Sequence, residues 1–199
     1  MFPDFLKNPS DVAAPLLLGC TLTRTITLNG EKHKLVARIV ETEAYDQDDP
    51  ASHAFGGLSE RNAAMFGPAG HLYVYVSYGM HHCCNVVCGP EGFGSGCLVR
   101  AVEPLEGVEV MRELREAGRA YKHPLKLRDL TNGPGKVCAA LDIDKGLYGH
   151  DLTVEPLVLE FAPLLPGETI GRSPRVGISK NIDAPKRFFI EGNEFVSRA

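Results

Sequence analysis

The chain has 199 residues, of which 44% are hydrophobic and 23% are charged. This composition is typical of a globular domain and excludes a disordered chain, and no apolar run reaches the roughly 18 residues that a membrane span needs. The net charge of −4 does not indicate a polyanionic partner, so any binding to nucleic acid would need local basic patches. The first residues show no secretory signal, which predicts a cytoplasmic protein with reduced cysteines.

The first elements along the chain are a short helix and a hairpin. Residues 9–20 predict a helix that Ser10 caps. Thr21–Leu28 alternates in polarity, Asn29-Gly30 is a strong turn sequence, and Lys34–Glu43 returns as the second strand. A period of two assigns one face of this second strand to Leu35, Ala37, Ile39 and Glu41, and the other face to Val36, Arg38 and Val40.

A loop and three further strands follow. Residues 46–62 are rich in Asp, Gly, Ser and Pro and predict a loop. His71–Ser77, Cys83–Cys88 and Gly96–Val102 predict strands, with Pro104 expected to end the third.

The last part of the chain predicts two helices and two strands. Apolar spacing predicts a helix within Leu105–Arg119, and Thr131-Asn132-Gly133-Pro134 predicts the start of another. Leu152–Phe161 and Arg187–Ile190 predict late strands. Because most strands follow one another without a crossover helix, we expect an α+β fold with a mainly antiparallel sheet and flanking helices, in one mixed domain over residues 1–199.

Glu43 and Tyr45 are the first candidates for chemistry. A carboxylate at the end of an apolar strand, beside the acidic loop that contains Asp46, Asp48 and Asp49, is placed to act as a general base. The alternative is an exposed glutamate at a strand edge.

His81-His82-Cys83-Cys84, with Cys88, contains residue types that bind metals. Zinc sites pair two such half-sites, and the other cysteines, Cys20, Cys97 and Cys138, are isolated in the sequence. We therefore expect buried structural thiols and no metal.

Three tyrosines lie on and beside one strand. Tyr73 and Tyr75 share a strand face, which suits core packing, and Tyr78 falls at the turn Ser77-Tyr78-Gly79. An exposed tyrosine at a turn could stack on a base or wedge into a duplex.

Basic residues are concentrated in two segments. Residues 112–136 hold seven bases, Arg112, Arg115, Arg119, Lys122, Lys126, Arg128 and Lys136, against three acids. A second group consists of Arg172, Arg175, Lys180, Lys186 and Arg187. Such segments predict a face that holds a polyanion, and a solvated helix face is the alternative for part of the first.

Asn132-Gly133-Pro134-Gly135-Lys136 could bind a phosphate. Free backbone amides at a helix N-terminus, together with a lysine, suit an anion. The glycine spacing is not that of a Walker loop, and an ordinary helix start is the alternative.

Together these segments resemble the alkyladenine DNA glycosylase family, which is the mammalian type of 3-methyladenine DNA glycosylase. The matching residues occur in order along nearly the whole chain: Arg38-Ile-Val-Glu-Thr-Glu-Ala-Tyr45, His53, Arg61-Asn62, Met65-Phe66, Leu72-Tyr-Val-Tyr-Val-Ser-Tyr-Gly-Met80, Asn85, Leu98-Val-Arg-Ala-Val-Glu-Pro-Leu-Glu-Gly107, Asn132-Gly-Pro-Gly-Lys-Val-Cys-Ala-Ala-Leu141 and Arg175-Val-Gly-Ile178. The loop Asp46–Ser52 and the pair His81-His82 depart from the family pattern.

The resemblance implies a curved antiparallel sheet and a role for each matched position. Glu43 would be the base that activates water, and Arg100 would help to position it. The implied base pocket consists of Tyr45, His53, Tyr75, Asn85 and Val176, in which Asn85 would collide with the amino group of guanine. Tyr78 and Met80 would intercalate into DNA, and Gly133, Gly135 and Lys136 would contact its backbone.

The activity that the resemblance implies is excision of alkylated or deaminated purines from double-stranded DNA. The substrates would be 3-methyladenine, 7-methylguanine, hypoxanthine and ethenoadenine, and the enzyme would be a monomer that needs no cofactor or metal. Because Glu43 and not a lysine occupies the catalytic position, we expect hydrolysis without lyase activity. The alternative is a damaged-DNA-binding protein of the same fold that has no catalytic activity.

Overall fold

The computed structural model describes residues 4–117 and 121–197. Three α-helices lie within these residues: α1 (Ser10–Leu16), α2 (Val108–Glu116) and α3 (Pro134–Ala140). The strands in the same residues are β1 (Thr21–Leu28), β2 (Glu31–Asp46), β3 (Leu72–Ser77), β4 (His81–Val87), β5 (Ser95–Glu106), β6 (Leu157–Glu160), β7 (Ile170–Ser173) and β8 (Arg187–Ile190). Short 3-10 helices occur at Asp4–Lys7, Ala63–Phe66, Leu127–Asp129 and Lys145–Leu147.

The strands of the described residues form one curled sheet in the order β3-β4-β5-β2-β1-β6, and β8 joins it by pairing with β2 and β7. All of the strand pairs are antiparallel. The predicted α+β fold with an antiparallel sheet is therefore confirmed. The Asn29-Gly30 turn is confirmed as well, since both residues have the positive φ angles of a tight hairpin.

Strand β2 is the centre of the sheet because it has three partners. Its first part pairs with β1, and its last part, from Glu41 to Glu43, lies between β5 and β8. Both of these glutamates have a relative solvent exposure of 0%. The middle of a sheet thus carries two buried carboxylates, which need partners to offset their loss of hydration.

A bulge in β2 decides which way these carboxylates face. The pairing with β5 passes from Ile39 directly to Glu41, so Val40 is an extra residue. Ile39 and Val40 both lie in the hydrophobic core, after which Glu41 and Glu43 contact Arg100 on the opposite face. The predicted sharing of a face by Ile39 and Glu41 is wrong because an extra residue reverses the alternation.

The three helices pack against the sheet and form one hydrophobic core. Ala13 and Ala14 of α1, Met111 of α2 and Val137 of α3 are completely buried within it. A smaller buried cluster consists of Ala54, Met65, Tyr73 and Val87. Two sides of the sheet are therefore occupied differently, one by the helices and one by the polar groups around Glu43.

Several sequence predictions about element boundaries were wrong. Pro9 rather than Ser10 precedes the first helix, and the Ser10 hydroxyl makes no cap hydrogen bond. Strand β5 continues through Pro104 instead of ending there. Proline has no backbone N–H to donate to the neighbouring strand, and the register shift between Val36 and Ala37 opposite it makes this donor unnecessary. Leu105 consequently belongs to β5 rather than to a helix. Strand β7 was not predicted, since its sequence Ile-Gly-Arg-Ser has no apolar alternation.

Candidate active site

A cavity of about 530 Å³ opens beside the end of β2. This volume lies in the range of small-molecule sites. Eight of the residues that the sequence analysis selected line it together: Glu43, Tyr45, His53, Tyr75, Tyr78, Asn85, Arg100 and Val176. The fold therefore brings the predicted catalytic pair and the whole predicted base pocket to one place.

Glu43 lies in the wall of this cavity and is held by three groups. Its Oε1 accepts a hydrogen bond of 2.8 Å from the Val176 backbone N–H and lies 3.3 Å from Arg100 Nη1. Its Oε2 accepts a hydrogen bond of 2.8 Å from the Tyr45 hydroxyl. A carboxylate has about four acceptor positions, and these contacts hold both of its oxygens in place.

The acidic loop does not supply the charge next to Glu43. Asp46 accepts hydrogen bonds from the Ser10 backbone and the Ser95 hydroxyl, and Asp49 pairs with Arg175. The charged group that contacts Glu43 is the guanidinium of Arg100. The alternative of an exposed strand-edge glutamate is excluded by its complete burial.

Aromatic side chains form another wall of the cavity. The rings of His53 and Tyr75 meet edge to face at 4.5 Å, and Tyr75 stacks on Tyr73 at 5.6 Å. His53 Nδ1 lies 2.9 Å from the Tyr73 hydroxyl. Burial, together with the positive charge of Arg61, lowers the pKa of His53, so the imidazole is held in its neutral form at pH 7.

The ring of Tyr45 makes a cation–π contact with Arg175. The Arg175 guanidinium lies 4.6 Å from the ring centroid, and Arg175 itself does not line the cavity. Burial and the neighbouring Glu43 carboxylate raise the pKa of Tyr45. Its hydroxyl therefore remains protonated and available as the donor to Glu43.

The cysteines near the cavity are structural. Cys83, Cys84 and Cys88 are each at most 3% exposed and free of disulfides, as the sequence analysis predicted. Burial raises the pKa of the Cys83 thiol to about 11, which makes it a poor nucleophile. Among the described residues no cluster of three or more His, Cys, Asp or Glu side chains is arranged to hold a metal ion.

Tyr78 and Met80 project from the turn between β3 and β4. Tyr78 is 83% exposed and Met80 is 75% exposed. Tyr78 also has a φ angle of 50°, which is uncommon for a bulky residue and marks a position held by its surroundings. Tyr78 lines the cavity mouth, whereas Met80 does not line the cavity.

Gly133, Gly135 and Lys136, which the sequence analysis assigned to phosphate binding, do not line the cavity. Their neighbour Pro134, the first residue of α3, does line it. Lys136 Nζ donates to Asn132 Oδ1 at 2.6 Å, and burial lowers the pKa of this lysine. Gly135 packs so closely on His81 that an added Cβ would lie 3.0 Å from the His81 Cβ. Gly133 is the residue that precedes the helix.

Three of the basic residues that we assigned to a polyanion-binding face are internal instead. Arg115, Arg175 and Arg187 are each 5% exposed. Arg115 donates to the Leu130 carbonyl, Arg175 pairs with a buried aspartate and Arg187 with a buried glutamate. The prediction that these three arginines belong to a polyanion-binding face is therefore wrong. Arg119, which was assigned to the same face, lies outside the described residues.

Comparison with known proteins now decides the family. Residues 4–194 match the family described as methylpurine-DNA glycosylase (MPG). The chain belongs to the methylpurine-DNA glycosylase family. A relative from Nitrosospira multiformis is 45% identical over 195 residues, covering 98% of this chain and 92% of that protein. Relatives from Chlorobaculum parvum, with 48% identity over 98% of this chain and 88% of that protein, and from Methanoculleus marisnigri, with 43% identity over 98% and 96%, are similar throughout. All three carry provisional names as 3-methyladenine DNA glycosylases.

This member of the family also contains buried groups next to the site that were not predicted as site residues. Glu41 and Ser197 contact Arg100, Arg187 pairs with Glu41, and Asp49 pairs with Arg175, whose guanidinium lies against the Tyr45 ring. Glu41 had a sequence signal as an acid two residues before Glu43 on the same strand, whereas Asp49 and Arg187 had appeared as parts of an acidic loop and a basic segment, and Ser197 had no signal. In the described part of the chain no helix is long and apolar enough to cross a membrane.

Proposed function

We propose that this methylpurine-DNA glycosylase hydrolyses the N-glycosidic bond of alkylated or deaminated purines in double-stranded DNA and so starts base excision repair. Its substrates are 3-methyladenine, 7-methylguanine, hypoxanthine and ethenoadenine. The observation that carries the proposal is a completely buried glutamate in the lining of a cavity of about 530 Å³, held in place by Arg100, the Tyr45 hydroxyl and the Val176 amide.

Glu43 acts as the general base in this proposal. A water molecule that donates to Oε2 attacks the anomeric carbon of the flipped nucleotide while the glycosidic bond breaks. The bonding electrons leave with the base, and the proton of the water passes to Glu43. Assistance of this kind contributes about 10²–10⁴-fold in rate. Arg100 and the Val176 amide keep the carboxylate oriented for this transfer.

The aromatic wall selects damaged purines. A base inside a duplex cannot be reached, and flipping is least costly for damaged or mispaired bases. Tyr45, His53 and Tyr75 offer ring faces to the flipped base, and a cationic alkylated purine gains from such contact. Asn85, which is 4% exposed in the lining, takes the space that the amino group of guanine would need.

Contacts with the duplex come from the exposed turn and from α3. Tyr78 and Met80 insert into the minor groove and fill the gap left by the flipped nucleotide, in the way that apolar wedges do. The start of α3, with Gly133, Gly135 and Lys136, lies next to the cavity through Pro134 and contacts the DNA backbone. The enzyme acts as a monomer and without a cofactor.

The test is base release by wild type and Glu43→Gln. Duplexes with a single hypoxanthine, ethenoadenine, 7-methylguanine or 3-methyladenine are incubated with enzyme in excess chelator, and alkali-labile abasic sites are counted. The amide oxygen of the substituted side chain can still accept from the Val176 N–H, and circular dichroism establishes that Glu43→Gln is folded before its rate of release is compared; that rate should fall about 10²–10⁴-fold. Glu91→Gln, at an exposed position outside the cavity lining, is the matched control and should retain full activity.

Three results would contradict the proposal in different ways. Tight binding of damaged duplex without release by wild type would indicate a binding protein of the same fold. Near-native release by a folded Glu43→Gln variant would remove Glu43 from the role of base. Trapping of a protein–DNA adduct with borohydride would indicate a lyase, in which case Lys180 of the cavity lining would be the first residue to examine.

A further inference from the structure

A second buried glutamate lies behind the proposed base. Glu41 is 0% exposed, and its two oxygens accept four hydrogen bonds. Oε1 takes Arg100 Nε at 3.1 Å, Arg187 Nε at 2.6 Å and the Ser197 hydroxyl at 2.8 Å, while Oε2 takes the Ser197 backbone N–H at 2.6 Å. The carboxylate is thus held by four protein donors and, unlike Glu43, has no place in the cavity lining.

Arg100 connects the two glutamates. Its Nε binds Glu41, its Nη1 lies 3.3 Å from Glu43 Oε1 and donates to the Val176 carbonyl at 3.3 Å, and its Nη2 donates to the Ser197 hydroxyl at 3.4 Å. A guanidinium is planar, so fixing Nε and Nη2 on one side determines where Nη1 points. The orientation of the group that holds Glu43 is therefore set by Glu41 and Ser197.

The last described segment of the chain completes this arrangement. Ser197 donates twice to Glu41, and its carbonyl accepts a hydrogen bond of 2.9 Å from Arg187 Nη2. Two residues earlier, the Phe195 ring is buried in the hydrophobic core, which anchors the segment. Because Ser197 is 156 residues from Glu41 in sequence, this contact exists only in the folded protein.

The charges of the cluster balance. Two carboxylates, Glu41 and Glu43, face two guanidiniums, Arg100 and Arg187. Arg187 offsets the charge of Glu41, which leaves the charge of Arg100 for Glu43. A buried pair of this kind is stable only when its remaining donors and acceptors are satisfied, and the hydroxyl of Ser197 satisfies both Glu41 and Arg100.

We propose that Glu41 and Ser197 are positioning residues for base release, and that the segment from Phe195 to Ser197 fixes Arg100 in the orientation in which it contacts Glu43. This inference rests on the proposed function. Ser197 contributes an acceptor for Arg100 Nη2 and a donor for Glu41, so its loss lets the guanidinium rotate away from Glu43 Oε1. The carboxylate then has a second orientation, in which Oε2 no longer faces the attacking water.

The experiment compares Ser197→Ala with wild type under single turnover on a hypoxanthine duplex. We expect the rate constant of base release to fall about tenfold, as the loss of one buried hydrogen-bond partner allows, while the Kd for an abasic-site duplex stays within about twofold. Ser197→Thr keeps the hydroxyl and should restore most of the rate. Thr42→Val removes another buried hydroxyl, bonded to the Ala14 carbonyl on the opposite face of β2, and should leave the rate unchanged.

A second measurement does not depend on activity. The Nε–H proton of Arg100 is buried in the ion pair with Glu41, and its exchange with water can be followed by NMR. We expect exchange to become at least about tenfold faster in Ser197→Ala and to stay slow in Thr42→Val, as the loss of one buried partner allows. If wild type releases no base, the proposed function fails, and the exchange rates still decide whether Ser197 holds Arg100.

Other outcomes would overturn the inference itself. If wild type is active and Ser197→Ala releases base at the same rate, the contact with Ser197 is not needed to orient Arg100. An equal loss of release and of abasic-site binding, or an equal loss in Thr42→Val, would indicate general destabilisation instead of positioning. Unchanged Nε–H exchange would show that the Ser197 hydroxyl does not fix the guanidinium.

Discussion

Replacing Asp49 by asparagine should destabilise the protein in a pH-dependent manner. Asp49 is 3% exposed, and its Oδ2 lies 2.8 Å from Arg175 Nη1 and 3.3 Å from Lys186 Nζ. Its Oδ1 accepts hydrogen bonds from the Ala51 backbone at 3.0 Å and from the Asn181 side chain at 3.1 Å. The change keeps the size of the side chain and removes the charge that balances two cations.

The magnitude follows from the pKa of Asp49. Burial alone would raise it, but the hydrogen bonds from Arg175, Ala51 and Asn181 outweigh burial and lower the pKa from 3.8 to about 2. That difference corresponds to about 2 kcal/mol of stability. Because the folded-state pKa is lower than the unfolded one, this stability is present above pH 3.8 and is lost as the pH falls through about 2.

For Asp49→Asn we expect a loss of about 3 kcal/mol at pH 6, since the variant also leaves Arg175 buried without its partner carboxylate. The difference from wild type should shrink by roughly 1.5 kcal/mol between pH 6 and pH 2.5, because Asp49 takes up its proton in the unfolded chain over this range while the folded protein keeps most of its charge. Urea unfolding followed by circular dichroism at pH 6, 4, 3 and 2.5 measures both quantities. Asp48→Asn, at the exposed neighbouring position, is the control and should stay within about 0.5 kcal/mol of wild type.

A difference that is the same at every pH, or one below about 1 kcal/mol at pH 6, would refute this reasoning.

The same variant has a functional consequence. Arg175 lies 4.6 Å from the Tyr45 ring, so an unpaired guanidinium would disturb the ring that lines the base pocket. Release of bases should therefore weaken in Asp49→Asn and not in Asp48→Asn.

Two further substitutions test the wedge and the packing behind the pocket. Tyr78→Ala should weaken binding to an abasic-site duplex by about 1–3 kcal/mol, the value of one stacking contact, with unchanged urea unfolding because Tyr78 is 83% exposed; unchanged affinity would remove Tyr78 from this role. Gly94→Ala should lower the free energy of unfolding by about 1–3 kcal/mol, since its Cβ would lie 2.6 Å from both Ala54 Cβ and Phe66 Cζ. A stable Gly94→Ala variant by urea titration would contradict the close packing at this site.

Local sequence rules predicted those elements whose causes are local. The turn at Asn29-Gly30 follows from two residues that tolerate positive φ, and the start of α3 follows from Pro134 at its first position. Strand β1 has its predicted bounds, and Leu22 and Ile26 of its alternating positions are buried. Each of these features depends on the conformational preferences of a few neighbouring residues.

The order of the family motifs predicted which residues would meet in the cavity. Motifs that contain Glu43, Tyr75, Arg100 and Val176 are far apart in the chain, yet all four residues line one cavity. Alternation placed Glu41 with the core-facing residue Ile39, which is wrong in the fold. The bulge at Val40 has no strong local signal and arises from pairing with β5.

The solvent exposure of charged side chains was the property that the sequence predicted least well. Arg175 and Arg187 look like parts of a basic surface in the sequence, but in the fold they neutralise buried carboxylates. Whether an arginine faces solvent or a buried acid depends on partners far away in the chain, which here are Asp49 and Glu41.

The sequence indicated the antiparallel α+β class, the Asn29-Gly30 turn, the buried cysteines and eight of the residues that line the cavity. Only the tertiary structure decided that Glu41 and Glu43 lie on the face opposite to Ile39, that Arg100 contacts both, and that Ser197 is bonded to Glu41. The physical reason is that local preferences act over a few residues, whereas the burial of a charge must be compensated by whichever groups the complete fold brings to it.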